Sequence, residues 1–143
     1  MKLLSLIFLT LFLGKGCADS NSDEIKNSRV EYTAISRGYY QNIVVKNKEM
    51  VVQNDRNGLD KKTISISDSD WKEIVAAFQL IELDKLSTFK DPTQKRFSDG
   101  AAIANVKITF KEKEYQSVEF DHGMPPVEME KLINKIVELA KQK

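Results

Sequence analysis

The chain opens on a nearly continuous apolar stretch. Leu3 to Leu13 is apolar except for Ser5 and Thr10, with Lys2 before it and Gly14-Lys15-Gly16-Cys17 after it. The run is far shorter than the ~20 residues needed to cross a bilayer. A basic residue, a short apolar run and small residues at its end form the pattern of a secretory signal. Residues 1–16 are therefore read as a signal peptide. A buried N-terminal helix is the alternative, but the run lacks one-sided amphipathicity. Ala18-Asp19-Ser20-Asn21-Ser22-Asp23-Glu24 follows. This polar, acidic composition predicts a flexible tether over residues 17–28.

Beyond residue 28 the pattern alternates with period two. Val30, Tyr32 and Ala34 alternate with Glu31 and Thr33, as in a half-buried strand. Arg37-Gly38 breaks it. Tyr39–Lys46 and Met50–Gln53 read as two strands of a hairpin around Lys46-Asn47-Lys48-Glu49. A turn cluster at 54–58 precedes a strand over 61–66. The period then changes to 3.6. Ser67 offers an N-cap, Asp68 and Asp70 suit the helix start, and Trp71, Ile74, Val75 and Phe78 form one stripe. Trp71 and Phe78 belong to the core on this spacing. Lys90-Asp91-Pro92 breaks any helix, and residues 87–100 are expected to form a long loop. Ala101–Phe110 and Tyr115–Asp121 read as a second hairpin. Pro125-Pro126 then opens a final helix carrying Met129, Leu132, Ile133, Ile136, Leu139 and Ala140.

Short turns join most of the strands, which favours antiparallel pairing. The expected fold is α+β: a mainly antiparallel sheet of about five to six strands with two helices packed on one face, over residues 29–143. Loss of residues 1–16 removes two lysines, so the 21 acidic residues then exceed the basic ones by one. That balance lacks the basic face that a nucleic-acid partner requires. Cys17 is the only cysteine, so no disulfide can form within the chain.

Candidate chemistry is sparse. His122 is the only histidine and follows Asp121. An Asp–His pair can orient an imidazole for base chemistry. A turn histidine facing water is the plainer reading, since no second ligand stands at metal-binding spacing. Asp91, Asp99 and Asp121 could meet if the 87–100 loop folds back, although Asp91-Pro92 and Asp99-Gly100 also suit turns. Arg37, Tyr39 and Tyr40 cluster with Tyr32 at the first turn. Tyr and Arg are enriched at protein interfaces. Arg37, Tyr39, Tyr40, Asp91, Asp99, Asp121 and His122 are thus the candidate binding residues. No catalytic set, metal site or cofactor motif is assigned.

Leu13-Gly14-Lys15-Gly16-Cys17 resembles the lipobox of bacterial lipoproteins. Gly16 and Cys17 stand in register, Leu13 lies one position upstream and Lys15 falls within the box. The resemblance implies a diacylglycerol thioether on Cys17. Cleavage after Ala18 is the competing reading. The acidic tether is similar to a sorting signal of some surface lipoproteins, and a plain linker has the same composition. From Ser36 to Leu139 the layout resembles a small uncharacterised domain of exported bacterial lipoproteins. The shared marks are Gly38, the Ser67-capped helix, Asp99-Gly100 and Gly123 with Pro125-Pro126, while Tyr39-Tyr40-Gln41 replaces a Cys/Pro segment. That family implies fold and export but no catalytic residues.

The resulting expectation is an exported, non-enzymatic binding module in the cell envelope, held at the outer membrane by a lipid on Cys17. Another envelope protein is its candidate partner. An inhibitor of an envelope or extracellular hydrolase and a small hydrolase centred on Asp121 and His122 are the alternatives.

Overall fold

The computed structural model describes residues 23–142. The expected signal peptide, Cys17 and the part of the expected tether up to residue 22 lie outside the described residues. The strands are β1 (Arg29–Ile35), β2 (Tyr40–Lys46), β3 (Glu49–Gln53), β4 (Lys61–Ser65), β5 (Ile103–Phe110), β6 (Lys113–Gln116) and β7 (Phe120–Asp121). The helices are α1 (Asp68–Gln79) and α2 (Glu130–Ala140). All strand pairs are antiparallel. The spatial order is β4-β3-β2-β1-β5-β6, with β7 also paired to β5.

Alternation decides what each strand buries. Val30, Tyr32 and Ala34 of β1 face across to Val106, Ile108 and Ala104 of β5 and to Ile43 and Val45 of β2, and all are buried. Trp71, Ile74, Ala77 and Phe78 of α1 and Leu132, Ile133, Ile136, Leu139 and Ala140 of α2 join them in one buried cluster. Ser67 caps α1 as its position predicts, accepting from the Asp70 amide at 3.1 Å. The two hairpin tips use left-handed residues. Asn47 and Lys48 stand at φ 49° and 62°, and Lys111 and Glu112 at 50° and 64°. Such turns match the twist of the paired strands.

Three expectations are corrected. Residues 23–28 are not tether. They form a helical turn that seats Ile25, 4% exposed, in the core, and Ser28 Oγ donates to the Ile25 carbonyl at 2.6 Å. One apolar side chain was enough to dock this otherwise polar segment. The 87–100 segment is also more ordered than a long loop. It contains the end of a 3-10 helix at Leu83–Thr88 and a 3-10 turn at Lys95–Ser98.

The third correction is the strand expected over Tyr115–Asp121, which splits into β6 and β7 to make a sheet of seven strands. Gln116 faces Lys107, yet Phe120 faces Ala104, so one extra residue lies between them on the outer strand. Ser117 holds this bulge. Its amide donates to the Val106 carbonyl at 2.8 Å, and its hydroxyl accepts from the Val106 amide at 2.9 Å. A one-residue shift exchanges the faces of a strand. Phe120 thereby joins the core, and Asp121 is carried to the other side of β7. Replacing Ser117 with Ala leaves the buried Val106 amide without its acceptor. Urea denaturation of Ser117→Ala should show a loss of about 1–3 kcal/mol; an unchanged midpoint would mean the hydroxyl does not hold the bulge.

Candidate functional site

The two ends of the sheet differ. At one end the described chain begins. There the Asn47 amide donates to the Lys26 carbonyl at 3.2 Å, and Lys111 pairs with Glu24 at 3.1 Å. The other end, where β1 stops at Ile35 and β5 starts at Ile103, gathers the connections at 36–39, 54–60, 99–102 and 121–124. The seven-residue span of β1 separates these ends by about 20 Å. All seven candidate residues read from the sequence fall at the second end or in the loop attached to it.

Asp121 is its most constrained member. It is fully buried. Thr93 Oγ1 and the Lys95 amide donate to one carboxylate oxygen, each at 2.6 Å. The other oxygen accepts from the Arg96 amide at 3.0 Å and from its guanidinium at 3.1 Å. The same guanidinium reaches Asp91 at 2.7 Å. Burial alone would raise the Asp121 pKa. The bonds from Thr93, the backbone amides of Arg96 and Lys95 and the Arg96 side chain outweigh it and hold the group down at about 2. Asp91 and Asp121 therefore meet through Arg96, while Asp99 has no part in this cluster. Sequence reading missed Thr93 and Arg96, whose residue types carry no signal until the bulge places Asp121 beneath them.

His122 points elsewhere. Its Nδ1 lies 2.5 Å from the Tyr32 hydroxyl and its Nε2 lies 3.2 Å from the Tyr39 hydroxyl. A neutral imidazole has one N–H and one lone pair, so one tyrosine donates to the ring and the other accepts from it. Burial pushes the Tyr32 hydroxyl well above its usual range, nearby Tyr39 adds to this, and the Gly123 amide opposes only part of it. Burial likewise raises Tyr39. For His122, burial first and the charge of Lys141 second lower the pKa. The expectation of a turn histidine facing water is corrected, because two tyrosines hold the ring between the core and the surface. The Asp–His pairing is corrected too, because every carboxylate bond of Asp121 goes to residues 93–96. Among the described residues no serine, threonine or cysteine hydroxyl or thiol bonds to His122, so the geometry is not that of a hydrolytic triad. Among them, also, no three His, Cys, Asp or Glu side chains gather closely enough to hold a metal ion.

The remaining candidates divide. Arg37 and Asp99 line one recess of about 330 Å³ with Ser36 and Gly100–Ala102. The His122 amide joins this wall by donating to the Ala102 carbonyl at 2.9 Å. Tyr40 is a half-buried β2 residue opposite Ile35 and contributes no bond to His122. Exposed apolar side chains rim the same end: Tyr39, Phe97, Ile103 and Met124. Arg96 stacks on the Phe97 ring at 4.4 Å. A larger recess of about 550 Å³ lies between α1 and α2 and contains none of the candidate residues. Lys135 runs along its wall to Asp70 and Glu73, each at 2.7 Å.

In comparisons with known proteins, no family model and no curated protein matches the chain.

One consequence is a pH dependence. The folded state holds His122 below the ordinary value near 6.5, so the unfolded chain takes up the proton first. Stability is then present above about pH 6.5 and falls as the pH drops through that value. Because the chain has a single histidine, the thermal midpoint should decline from pH 7 to pH 5 in the parent protein and flatten over that window in His122→Gln. Equal slopes in the two proteins would contradict the imidazole assignment.

Proposed function

We propose that this chain is an exported envelope lipoprotein, anchored by a lipid on Cys17, whose domain is a non-enzymatic binding module. The carrying observation is its polarity. The chain enters the domain at one end of the sheet, while Arg37, Tyr39, Asp99 and His122 lie at the other, about 20 Å away along β1. A domain tethered at the first end would present the second away from an outer membrane, toward a partner in the envelope. On this reading both helices cover the sheet face carrying Tyr32, Ile43 and Val106, and the end of the sheet is the surface left for binding. Among the described residues no helix is long and apolar enough to cross a membrane.

A second reading, inhibition of an envelope hydrolase, draws on one side chain. Phe97 is 74% exposed on a segment pinned through Arg96 to Asp91 and Asp121. A rigid loop presenting an aromatic side chain loses little entropy on inserting into a cleft. The polarity of the molecule serves both readings. The wider set of polar groups around His122 favours the first.

The mass of the mature protein from a membrane fraction should begin at Cys17 and include a diacylglycerol. An unmodified chain beginning at Asp19 would contradict the anchor. A photo-crosslinking residue at Tyr39 should trap a ligand or partner in intact cells, and one at Lys111 should not. Equal adducts at both positions, or none at Tyr39, would contradict the placing of the binding surface.

A further inference from the structure

The chain has four arginines. Arg29 pairs with Glu31, Arg56 donates to the Ser36 carbonyl at 2.8 Å, and Arg96 bridges Asp91 and Asp121. Arg37 alone has no hydrogen-bond or ion-pair partner among the described residues. The Asp99 carboxylate has none either; only its backbone amide is bonded, to the Lys95 carbonyl. These two unlike charges line the same recess of about 330 Å³ without pairing with each other.

The walls that carry them are held in place. Asp99 is left-handed, at φ 57°, and follows the Lys95–Ser98 turn. Gly100 donates to the Lys95 carbonyl at 2.8 Å, and a Cβ there would stand 3.1 Å from that oxygen, a tight approach that the turn could meet only by giving a few tenths of an ångström. The Lys95 amide is in turn fixed by Asp121 at 2.6 Å. On the other wall, the Ser36 amide donates to the Tyr39 carbonyl at 2.9 Å, and the Arg56 guanidinium takes the Ser36 carbonyl. These bonds fix the backbone on both walls, while the exposed Arg37 and Asp99 side chains are left for a ligand to engage.

We propose that this recess binds a small zwitterion, an amino acid or short peptide with free termini, its carboxylate on Arg37 and its ammonium on Asp99. The guanidinium fork matches a carboxylate, and the Asp99 carboxylate accepts from an ammonium. The volume lies at the low end of the ~300–1,000 Å³ found for ligand pockets, which suits one or two residues rather than a folded partner. Tyr39, tilted against His122 with 5.1 Å between ring centres, stands at the same end of the sheet. The inference deepens the binding-module reading and rests on it.

The test is a titration of the full mature chain with L-alanine and with L-alanyl-L-alanine, reading the backbone amide signals of Gly38, Asp99, Gly100 and Ala101. At least one zwitterion should shift these signals and saturate them. If alanine binds more tightly the ligand is a free amino acid, and if the dipeptide does it is a short peptide; both outcomes support the shared chemistry. N-acetylation or C-terminal amidation of the tighter ligand should weaken binding about tenfold or more, the equivalent of ~1.4 kcal/mol. Arg37→Gln and Asp99→Asn should each do the same. Asn tolerates the left-handed backbone, so Asp99→Asn removes the charge without straining the turn. No shift at about 50 mM, or equal binding of capped and free forms, would overturn the proposal. If the Tyr39 adduct still formed in that case, the zwitterion would fail while the binding role stood. Loss of that adduct as well would overturn both.

Discussion

A buried carboxylate needs a partner for each of its oxygens, and at Asp121 those partners determine how one end of the molecule is built. The Ser117 bulge turns Phe120 into the core and delivers Asp121 to the far side of β7. There it draws in Thr93, two backbone amides and the Arg96 guanidinium. Removing one partner of such a buried pair leaves an uncompensated charge, at a typical cost of ~3–5 kcal/mol. The segment over residues 91–98 is therefore fixed from within by a single side chain. Its order extends to Asp99 and Gly100 through the Lys95 carbonyl.

The same arrangement explains what His122 does. With Asp121 fully engaged by the 93–96 backbone and side chains, the neighbouring imidazole has no carboxylate to orient it. It lies instead between a buried tyrosine and a partly exposed one. Such a ring is held as a neutral donor and acceptor, suited to fixing shape at a surface. Beside these polar groups lies an exposed apolar rim of Tyr39, Phe97, Ile103 and Met124.

Much of the fold was legible because period-two and period-3.6 patterns report burial directly. Val30, Tyr32 and Ala34, the Ser67 cap and the α2 stripe from Leu132 to Ala140 all stand as their spacing predicts. The failures have physical causes. Ile25 docks a segment whose average polarity reads as tether. Ser117 introduces a bulge that no residue pattern announces, because its signal is a pair of bonds to Val106. From that one shift followed the missed roles of Thr93 and Arg96 and the misread relation between Asp121 and His122. The candidate residues share one end of the sheet because turn residues of antiparallel strands gather at sheet ends. The sequence could not divide them into a structural cluster around Asp121, a tyrosine-held histidine and an open recess with Arg37 and Asp99.

The claim on which this account rests is that Asp121 fixes the 91–98 segment, and hydrogen exchange at two amides tests it directly. In the folded protein the Lys95 and Arg96 amides both donate to the Asp121 carboxylate. They should exchange far more slowly than exposed loop amides, and Asp121→Asn should speed them while amides in the middle of β1 and β5 keep their protection. Exchange of Lys95 and Arg96 at the rate of an unstructured chain in the parent protein, or protection unchanged in Asp121→Asn, would contradict it.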